Sequence, residues 1–205
     1  MTRSIECIYC IGDEIVLISV EDSVFLWENG YFGRSPVKED CPNPLFGMIS
    51  VLEAFHLLHR TESGDPVLTL TVRHEGTALS SMMLLELLEQ QRGREMRLKI
   101  LAYNALRNKG WIVHSGLNYG TDFLIYANGP DREHAPYAVV VKCEKEGCTW
   151  REASALNRVA STAKKRLVVA FVSEEDGKGT PNNPSQGFRI KFLCISRWIP
   201  EMDRS

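Results

Sequence analysis

Residues 110–141 read GWIVHSGLNYGTDFLIYANGPDREHAPYAVVV, and they carry three of the strand signals in the second half of the chain. Apolar, β-rich runs at residues 111–115, 123–126 and 137–142 predict three short strands, separated by turns rich in Gly, Asn and Pro. Tyr126 closes one predicted strand, and His134 stands just before the next. We therefore expect an ionisable phenol and an imidazole at the ends of neighbouring strands.

The sequence that follows predicts a helix between two further strands. In residues 150–165 apolar side chains recur every three or four positions, which is typical of an amphipathic helix. The run RLVVAFV at residues 166–172 is almost continuously apolar, so we expect an internal strand buried on both faces. A loop rich in Gly, Pro, Asn and acid precedes a last strand, FRIKFLCISRW, at residues 188–198. Lys165 lies where the predicted helix meets the internal strand.

The first half of the chain predicts a smaller α+β unit. Residues 5–27 indicate a β-meander of two or three strands, and residues 67–73 another strand. Helices are expected over residues 46–60, with Ser50 as N-cap, and over residues 78–91 and 95–109, which Gly93 separates. The predicted fold class is α/β (α+β), with an N-terminal domain at residues 1–92 and a mixed-sheet domain with flanking helices at residues 93–205.

Composition excludes some classes of protein. The 205 residues are 44% apolar and 24% charged with a net charge of −2, so the chain is not a polycation, although a local basic groove remains possible. No run reaches the roughly 18 apolar residues of a membrane span. The N-terminal residues carry acids and no small-residue cleavage site, so they predict a first strand and not a signal peptide.

Two short motifs raise the question of zinc. Cys7 and Cys10 form a C-x-x-C pair, and His56 and His59 form an H-x-x-H pair. The cysteines fall in an apolar strand-like run without a glycine-rich knuckle, and the histidines fall in a helix-like run, VLEAFHLLHR. These settings favour ordinary structural roles, and we expect neither a metal nor a cofactor.

Tyr126, His134 and Lys165 together offer a base, an acid and a cation, each at the edge of a predicted element. Cleavage of RNA by its own 2′-hydroxyl needs these three roles: one proton is removed, one is donated, and the charge on phosphorus is neutralised. A phenol titrates near 10, so it is a poor base at neutral pH unless cations lower its pKa. The candidate cations are Lys164, Lys165 and Arg166. Each residue alone has a more ordinary interpretation, at a strand rim, in a turn or at a solvated helix end.

Five motifs in this half resemble the catalytic domain of tRNA-splicing endonucleases, over roughly residues 95–200. They are ALRNKGW at 105–111, SGLNYGTDFLIY at 115–126, GP at 129–130, HAPY at 134–137 and KKRL at 164–167. The resemblance implies that Tyr126 is the general base, His134 the general acid and Lys165 the cation of the transition state. Tyr119 matches an aromatic position for which the family implies packing.

The resemblance also implies residues that bind RNA. The family stacks an extruded intron base between two side chains, and the matching positions here are Arg158 and Trp198. Lys164 and Arg166 are further candidates for RNA contacts. The segment FLWENGYFGR resembles the eukaryotic catalytic subunit that cuts the 5′ splice site, and SVLEAFHLL resembles a helix of the family. The sequence departs from that pattern after Gly33, where Arg34, Ser35 and Pro36 follow without a further glycine.

The function implied is cleavage of precursor tRNA at an exon–intron junction without a metal, leaving a 2′,3′-cyclic phosphate and a 5′-hydroxyl. Intron removal needs two cuts, so we expect an oligomer, a dimer or tetramer formed with itself or with sister subunits. The acidic residues 174–176 match a family loop that docks into a partner. No membrane partner and no secretion are expected; the location would be the nucleus in a eukaryote and the cytoplasm in an archaeon.

Two alternatives remain open. One is a non-catalytic structural subunit of the same complex. The other is a metal-dependent, restriction-like nuclease, suggested by Asp122 with Lys142 twenty residues on. Val140 stands where that second class needs a metal-binding carboxylate.

Overall fold

The computed structural model describes residues 3–9, 15–35, 47–174 and 187–196. The chain divides into two compact units, Met1–Asn104 and Ala105–Ser205. Each unit contains a five-stranded sheet with parallel and antiparallel neighbours, so the predicted α+β class is confirmed. The predicted domain boundary between residues 92 and 93 falls at a helix junction and stays a prediction.

The first unit contains a sheet of order β3-β2-β1-β4-β5. Its strands are β1 (Arg3–Tyr9), β2 (Ile15–Ile18), β3 (Gly47–Ser50), β4 (Leu68–His74) and β5 (Thr77–Leu79). Neighbouring strands are antiparallel except for β1 and β4, which are parallel. The helices are α1 (Val20–Glu28), α2 (Val51–Glu62), α3 (Ser81–Arg92) and α4 (Arg94–Asn108), the last of which continues into the second unit. The core of this unit includes Ile5, Phe55, Leu70 and Leu84, all buried.

Three predictions for this unit were wrong. Residues 78–79, expected at the start of a helix, lie in β5, and the helix begins at Ser81 after its N-cap, Ser80. Residues 20–28 form α1 and not a strand, because the Ser19 hydroxyl accepts the amide N–H of Asp22 and the acidic first turn favours a helix start. The segment Gly47–Ser50 is strand β3 and not helix. Ser50 is nevertheless the N-cap of α2, as predicted, and it forms a capping box with Glu53.

The second unit contains a sheet of order β10-β9-β8-β7-β6. Its strands are β6 (Ile112–Ser115), β7 (Phe123–Tyr126), β8 (Tyr137–Cys143), β9 (Arg166–Glu174) and β10 (Phe188–Ile195). A 3₁₀ turn (Leu117–Tyr119) joins β6 to β7, and helix α5 (Trp150–Thr162) crosses from β8 to the parallel strand β9. The predicted strands and the helix are confirmed, and β9 is internal to the sheet, as its apolar run predicts.

The strand register brings three chain positions to one end of this sheet. Ile125 in β7 pairs with Tyr137, the first residue of β8, and Tyr137 in turn pairs with Arg166, the first residue of β9. Because β7 is antiparallel to β8 while β9 is parallel to β8, the last residues of β7 and the first residues of β8 and β9 lie at the same end of the sheet. Residues that flank these points, at 126, 134 and 165, are thus at the same end.

The turn before β7 depends on a glycine. A Cβ atom on Gly116 would lie 2.3 Å from the Thr121 hydroxyl oxygen and 2.9 Å from the backbone nitrogen of Phe123. The Gly116 amide donates to the backbone oxygen of Asp122 at 3.0 Å, which closes the turn. The close approach of the chain to itself here fixes where β7 begins and hence where Tyr126 ends it.

Candidate active site

Tyr126, His134 and Lys165 lie at the same end of the second sheet. Tyr126 is the last residue of β7, His134 lies in the loop that leads to β8, and Lys165 directly precedes β9. Tyr126 packs beside a buried cluster that includes Leu124, Ala138 and Leu167. Antiparallel and parallel pairing in one sheet therefore brings three residues that are far apart in sequence to one end of that sheet.

The ammonium of Lys165 makes two contacts near this end of the sheet. Its Nζ donates to the backbone oxygen of Ala135, 3.1 Å away, and Ala135 directly follows His134. The same Nζ lies 4.9 Å from the centre of the Tyr119 ring, within the range of a cation–π interaction. Tyr119, for which packing was predicted, packs on the same cluster as Tyr126 and also contacts the cation.

A helix-terminal motif positions Lys165. The amide of Lys165 donates to the Ala160 oxygen at 2.8 Å, and the amide of Lys164 donates to the Ser161 oxygen at 2.9 Å. These two bonds form a Schellman motif at the C-terminus of α5. Lys164 occupies its left-handed position with a φ of 55°, where glycine is usual. The turn of the chain at Lys164 thus directs the next residue into β9.

Tyr126 is half-buried, and its surroundings favour the protonated phenol. Burial raises the pKa of Tyr126, and the nearby Tyr119 phenol raises that pKa further. The candidate cations Lys164, Lys165 and Arg166 are not among the groups that set this pKa. In the unliganded chain the phenol is therefore a weaker acid than an ordinary tyrosine, and the expected lowering of its pKa by those cations does not occur.

His114 contacts Tyr126 across the β6–β7 pair and was not singled out from the sequence. The two rings are 5.8 Å apart and nearly perpendicular, at 83°. Burial and, to a smaller extent, the charge of Arg107 lower the pKa of His114 to about 4. The imidazole is therefore neutral at pH 7 and packs against Tyr126 without adding a charge.

The loop between β7 and β8 carries His134, which is exposed. The Glu133 carboxylate accepts the amide N–H groups of Ala127 and Asn128 at 2.6 and 2.7 Å. Those two residues directly follow Tyr126. Glu133 was not singled out from the sequence either, although its position directly before His134, at the end of a turn, could have indicated a role.

The predicted RNA-binding residues do not all lie together. Arg158 is exposed on α5, and Lys164 is exposed at the end of that helix. The Arg166 guanidinium lies 5.8 Å from the Tyr137 ring centre. Because Tyr137 and Ala138 alternate along β8, and Ala138 packs with Tyr126, Arg166 is on the sheet face opposite Tyr126. Trp198 lies outside the described residues, as does most of the acidic segment 174–176.

The residues that suggested metal sites have other partners. The Asp122 carboxylate accepts the Val141 amide N–H at 2.8 Å, and Lys142 forms a 3.6 Å ion pair with Glu152. The Cys7 thiol donates to the Thr71 backbone oxygen at 3.2 Å, and burial raises its pKa to about 12. The His56 imidazole lies 2.6 Å from the side-chain oxygen of Asn104.

Within the described ranges, no cluster of three or more His, Cys, Asp or Glu side chains is arranged to hold a metal ion. Cys10 falls outside those ranges, so the C-x-x-C pair is described only through Cys7. Among the helices of these same ranges, none has both the length and the apolar character needed to cross a membrane.

Comparison with known proteins identifies similar chains. The family model for the tRNA intron endonuclease catalytic C-terminal domain matches residues 96–180. A tRNA-splicing endonuclease of Saccharolobus solfataricus is 34% identical over 172 residues, covering 80% of this chain and 89% of the relative. The protein of the same name from Sulfurisphaera tokodaii is 28% identical, and the match covers 82% of this chain and 91% of that relative. The one from Sulfolobus acidocaldarius is also 28% identical, and the match covers 81% of this chain and 90% of that relative. All three organisms are archaea.

Proposed function

The chain belongs to the tRNA-splicing endonuclease family, and we propose that it is a catalytic subunit that cuts precursor tRNA at an exon–intron junction. We assign the chemistry to the domain at residues 93–205 and an assembly role to residues 1–92. The observation that carries this proposal is the convergence of Tyr126, His134 and Lys165 at one end of a single sheet. The end of β7 and the segments that lead into β8 and β9 supply candidates for the three chemical roles that RNA transesterification requires.

In the proposed reaction the 2′-oxygen attacks the adjacent phosphorus. The Tyr126 phenolate removes the proton of the 2′-hydroxyl as the new P–O bond forms. The P–O bond to the 5′-oxygen breaks, and the His134 imidazolium donates its proton to that oxygen. The products are a 2′,3′-cyclic phosphate and a 5′-hydroxyl, and a proton moves from His134 to Tyr126 overall. The step balances without a metal ion.

Lys165 has the electrostatic role in this scheme. Negative charge accumulates on the non-bridging oxygens as the phosphorus becomes five-coordinate, and a fixed cation stabilises that state more than the ground state. The hydrogen bond from Lys165 to the Ala135 oxygen supports this role, because it holds the ammonium beside the residue next to His134. The Schellman motif at Lys164 fixes its backbone as well.

Binding of the RNA is assigned to exposed cations and one aromatic residue. We propose that Arg158 and Trp198 stack on an extruded intron base, with Lys164 and Arg166 contacting phosphates. Arg158 and Lys164 are exposed, which supports their availability to RNA. Arg166 lies on the opposite sheet face from Tyr126, so its phosphate contact would be at a different part of the substrate.

The assembly and the cellular location are also proposals. One chain carries one set of the three residues while intron removal needs two cuts, so we propose a dimer or tetramer formed with itself or with sister subunits. The archaeal relatives favour the cytoplasm over the nucleus. The resemblance to the eukaryotic 5′-site subunit stays a prediction.

An assay in EDTA tests this function. The purified chain, alone and with candidate sister subunits, is incubated with an intron-containing precursor tRNA, and the ends of the products are analysed. We expect cleavage at exon–intron junctions that EDTA does not affect, with 2′,3′-cyclic phosphate ends. Loss of cleavage in EDTA would favour the metal-dependent alternative. Full activity of an assembly containing His134→Ala, at both junctions, would favour the non-catalytic alternative.

A further inference from the structure

The Glu133 carboxylate joins the two ends of the loop that carries the proposed base and acid. One oxygen, Oε1, accepts the amide N–H of Ala127 at 2.6 Å and that of Asn128 at 2.7 Å. The other oxygen lies 3.4 Å from the Asn128 side-chain nitrogen, which donates to it. Ala127 directly follows Tyr126, and Glu133 directly precedes His134. A single side chain thus connects the neighbours of both residues.

This connection acts where the strand pairing has ended. The paired residues of β7 and β8 stop at Ile125 and Tyr137. Beyond them, the amides of Arg132 and Glu133 each donate to the Gly129 oxygen at 3.2 Å, which closes a turn within the loop. That turn does not itself reach back to β7, whereas the Glu133 carboxylate does. The carboxylate therefore sets the distance between the end of β7 and the residue before His134.

The His134 side chain is exposed, so its location depends on the backbone that carries it and not on a packed environment. Hydrogen bonds from the backbone amide of Asn128 and then of Ala127 lower the pKa of Glu133. The carboxylate therefore stays ionised, and keeps its acceptor strength, under mildly acidic conditions.

We propose that Glu133 is a positioning residue, which holds the β7–β8 loop so that His134 and Tyr126 act on the same phosphodiester. The proposal rests on the proposed function, since it concerns the same two residues. Misplacement of a catalytic group by about 1 Å can slow a reaction by about 100-fold. Glu133 touches neither reacting atom in this scheme; it acts through the backbone at both ends of the loop.

Three variants in the full-length chain test this role. Glu133→Ala removes both acceptors, and we expect kcat to fall about 10- to 100-fold while KM changes by less than about twofold. Glu133→Gln keeps a neutral oxygen that can accept both amides, so it should restore most of kcat with an unaltered pH–rate profile. Glu152→Ala is the matched control, because Glu152 also accepts a backbone amide, that of Thr149 at 2.9 Å, at the start of α5.

The outcomes separate the two proposals. A wild-type chain that leaves precursor tRNA uncut, both alone and together with sister subunits, defeats the proposed function, whatever the variants do. If the wild type cleaves, wild-type kcat in Glu133→Ala, or a loss no greater than in Glu152→Ala, overturns the positioning role. A Glu133→Gln variant as slow as Glu133→Ala overturns the hydrogen-bond account in favour of charge.

A second measurement does not depend on activity. Amide hydrogen exchange at Ala127 and Asn128 should become faster in Glu133→Ala and remain near the wild-type rate in Glu133→Gln, because the two amides lose their acceptor only in the first variant. Unchanged exchange at both amides in Glu133→Ala would overturn the proposal even if no cleavage assay succeeds.

Discussion

The Lys165 ammonium donates a 3.1 Å hydrogen bond to the backbone oxygen of Ala135, the residue that follows His134. This bond links the start of β9 to the loop that precedes β8, next to the parallel pairing of Tyr137 with Arg166. An ammonium has three N–H donors, so the bond to Ala135 is compatible with a simultaneous contact to a phosphate oxygen. The proposed cation and the proposed acid are therefore fixed relative to each other through one residue.

Removal of this cation should slow the chemical step. We expect Lys165→Ala to reduce the single-turnover cleavage rate by about 10²- to 10³-fold, because a fixed donor to the developing charge is lost. Lys109→Ala, at an exposed lysine that follows α4, serves as the control and should cleave at the wild-type rate. A Lys165→Ala variant that is equally fast with saturating protein would contradict the electrostatic role of Lys165.

The pH dependence of cleavage should reflect the raised pKa of Tyr126. If the phenolate is the base, only a small fraction of molecules is active at neutral pH, so a change that lowers the pKa of Tyr126 should raise the rate at that pH. The Tyr119 phenol contributes to that raised pKa, so Tyr119→Phe should shift the basic limb of the profile to lower pH. Rates at fixed substrate across a pH series measure both effects. An unchanged profile in Tyr119→Phe, or cleavage by Tyr126→Phe, would contradict the base assignment.

Stability should depend on pH through His114. The pKa of His114 is about 4 in the folded chain and about 6.5 when unfolded, so the unfolded state binds more protons between these values. The contribution of the neutral His114 to the free energy of unfolding is complete above about pH 6.5. It is lost as the pH falls towards 4, which lowers the free energy of unfolding by at most about 3 kcal/mol. Urea unfolding at several pH values measures it. His114→Leu should remove this part of the pH dependence. If the free energy of unfolding changes with pH equally in the variant and the wild type, the assignment of a buried, neutral imidazole is contradicted.

The left-handed conformation of Lys164 gives a prediction in which stability and RNA binding change in opposite directions. Lys164→Gly should relieve the strain of a φ of 55° and stabilise the fold by roughly 0.5–1 kcal/mol, after the entropy cost of glycine is subtracted. The same change removes a charge, so RNA affinity should fall if Lys164 contacts a phosphate. Lys164→Ala keeps the strain and loses the charge, which separates the two effects. Thermal unfolding and RNA binding by both variants provide the measurements.

Local patterns were sufficient to predict much of the second unit. The short apolar runs around Tyr126 and Tyr137 determine β7 and β8, and the spacing of Ala153, Leu156 and Ala160 determines α5. Since strands joined by a short loop pair antiparallel, and strands joined by a helix pair parallel, the convergence of residues 126, 134 and 165 follows from the order of elements. The family resemblance, confirmed by the relatives, supplied their roles as proposals.

Other features depend on contacts that a linear pattern does not contain. Residues 20–28 contain the bunched apolar run VFLW, which resembles part of a strand, but the Ser19 cap makes them a helix. The contact of His114 with Tyr126 requires the β6–β7 register, and the bonds of Glu133 require the loop conformation. The pKa of Tyr126 depends on burial and on Tyr119, and its direction is opposite to the one expected from the nearby cations.

In the proposed reaction the 2′-hydroxyl of the substrate attacks the phosphorus with the help of Tyr126, His134 and Lys165. The most direct test is the cleavage rate, in EDTA, of a precursor tRNA with a single 2′-deoxynucleotide on the 5′ side of one scissile phosphate. We predict that this junction stays intact while the other, unmodified junction of the same molecule is cut at its usual rate. Cleavage of the modified junction at the rate of the all-ribose substrate would contradict attack by the 2′-hydroxyl.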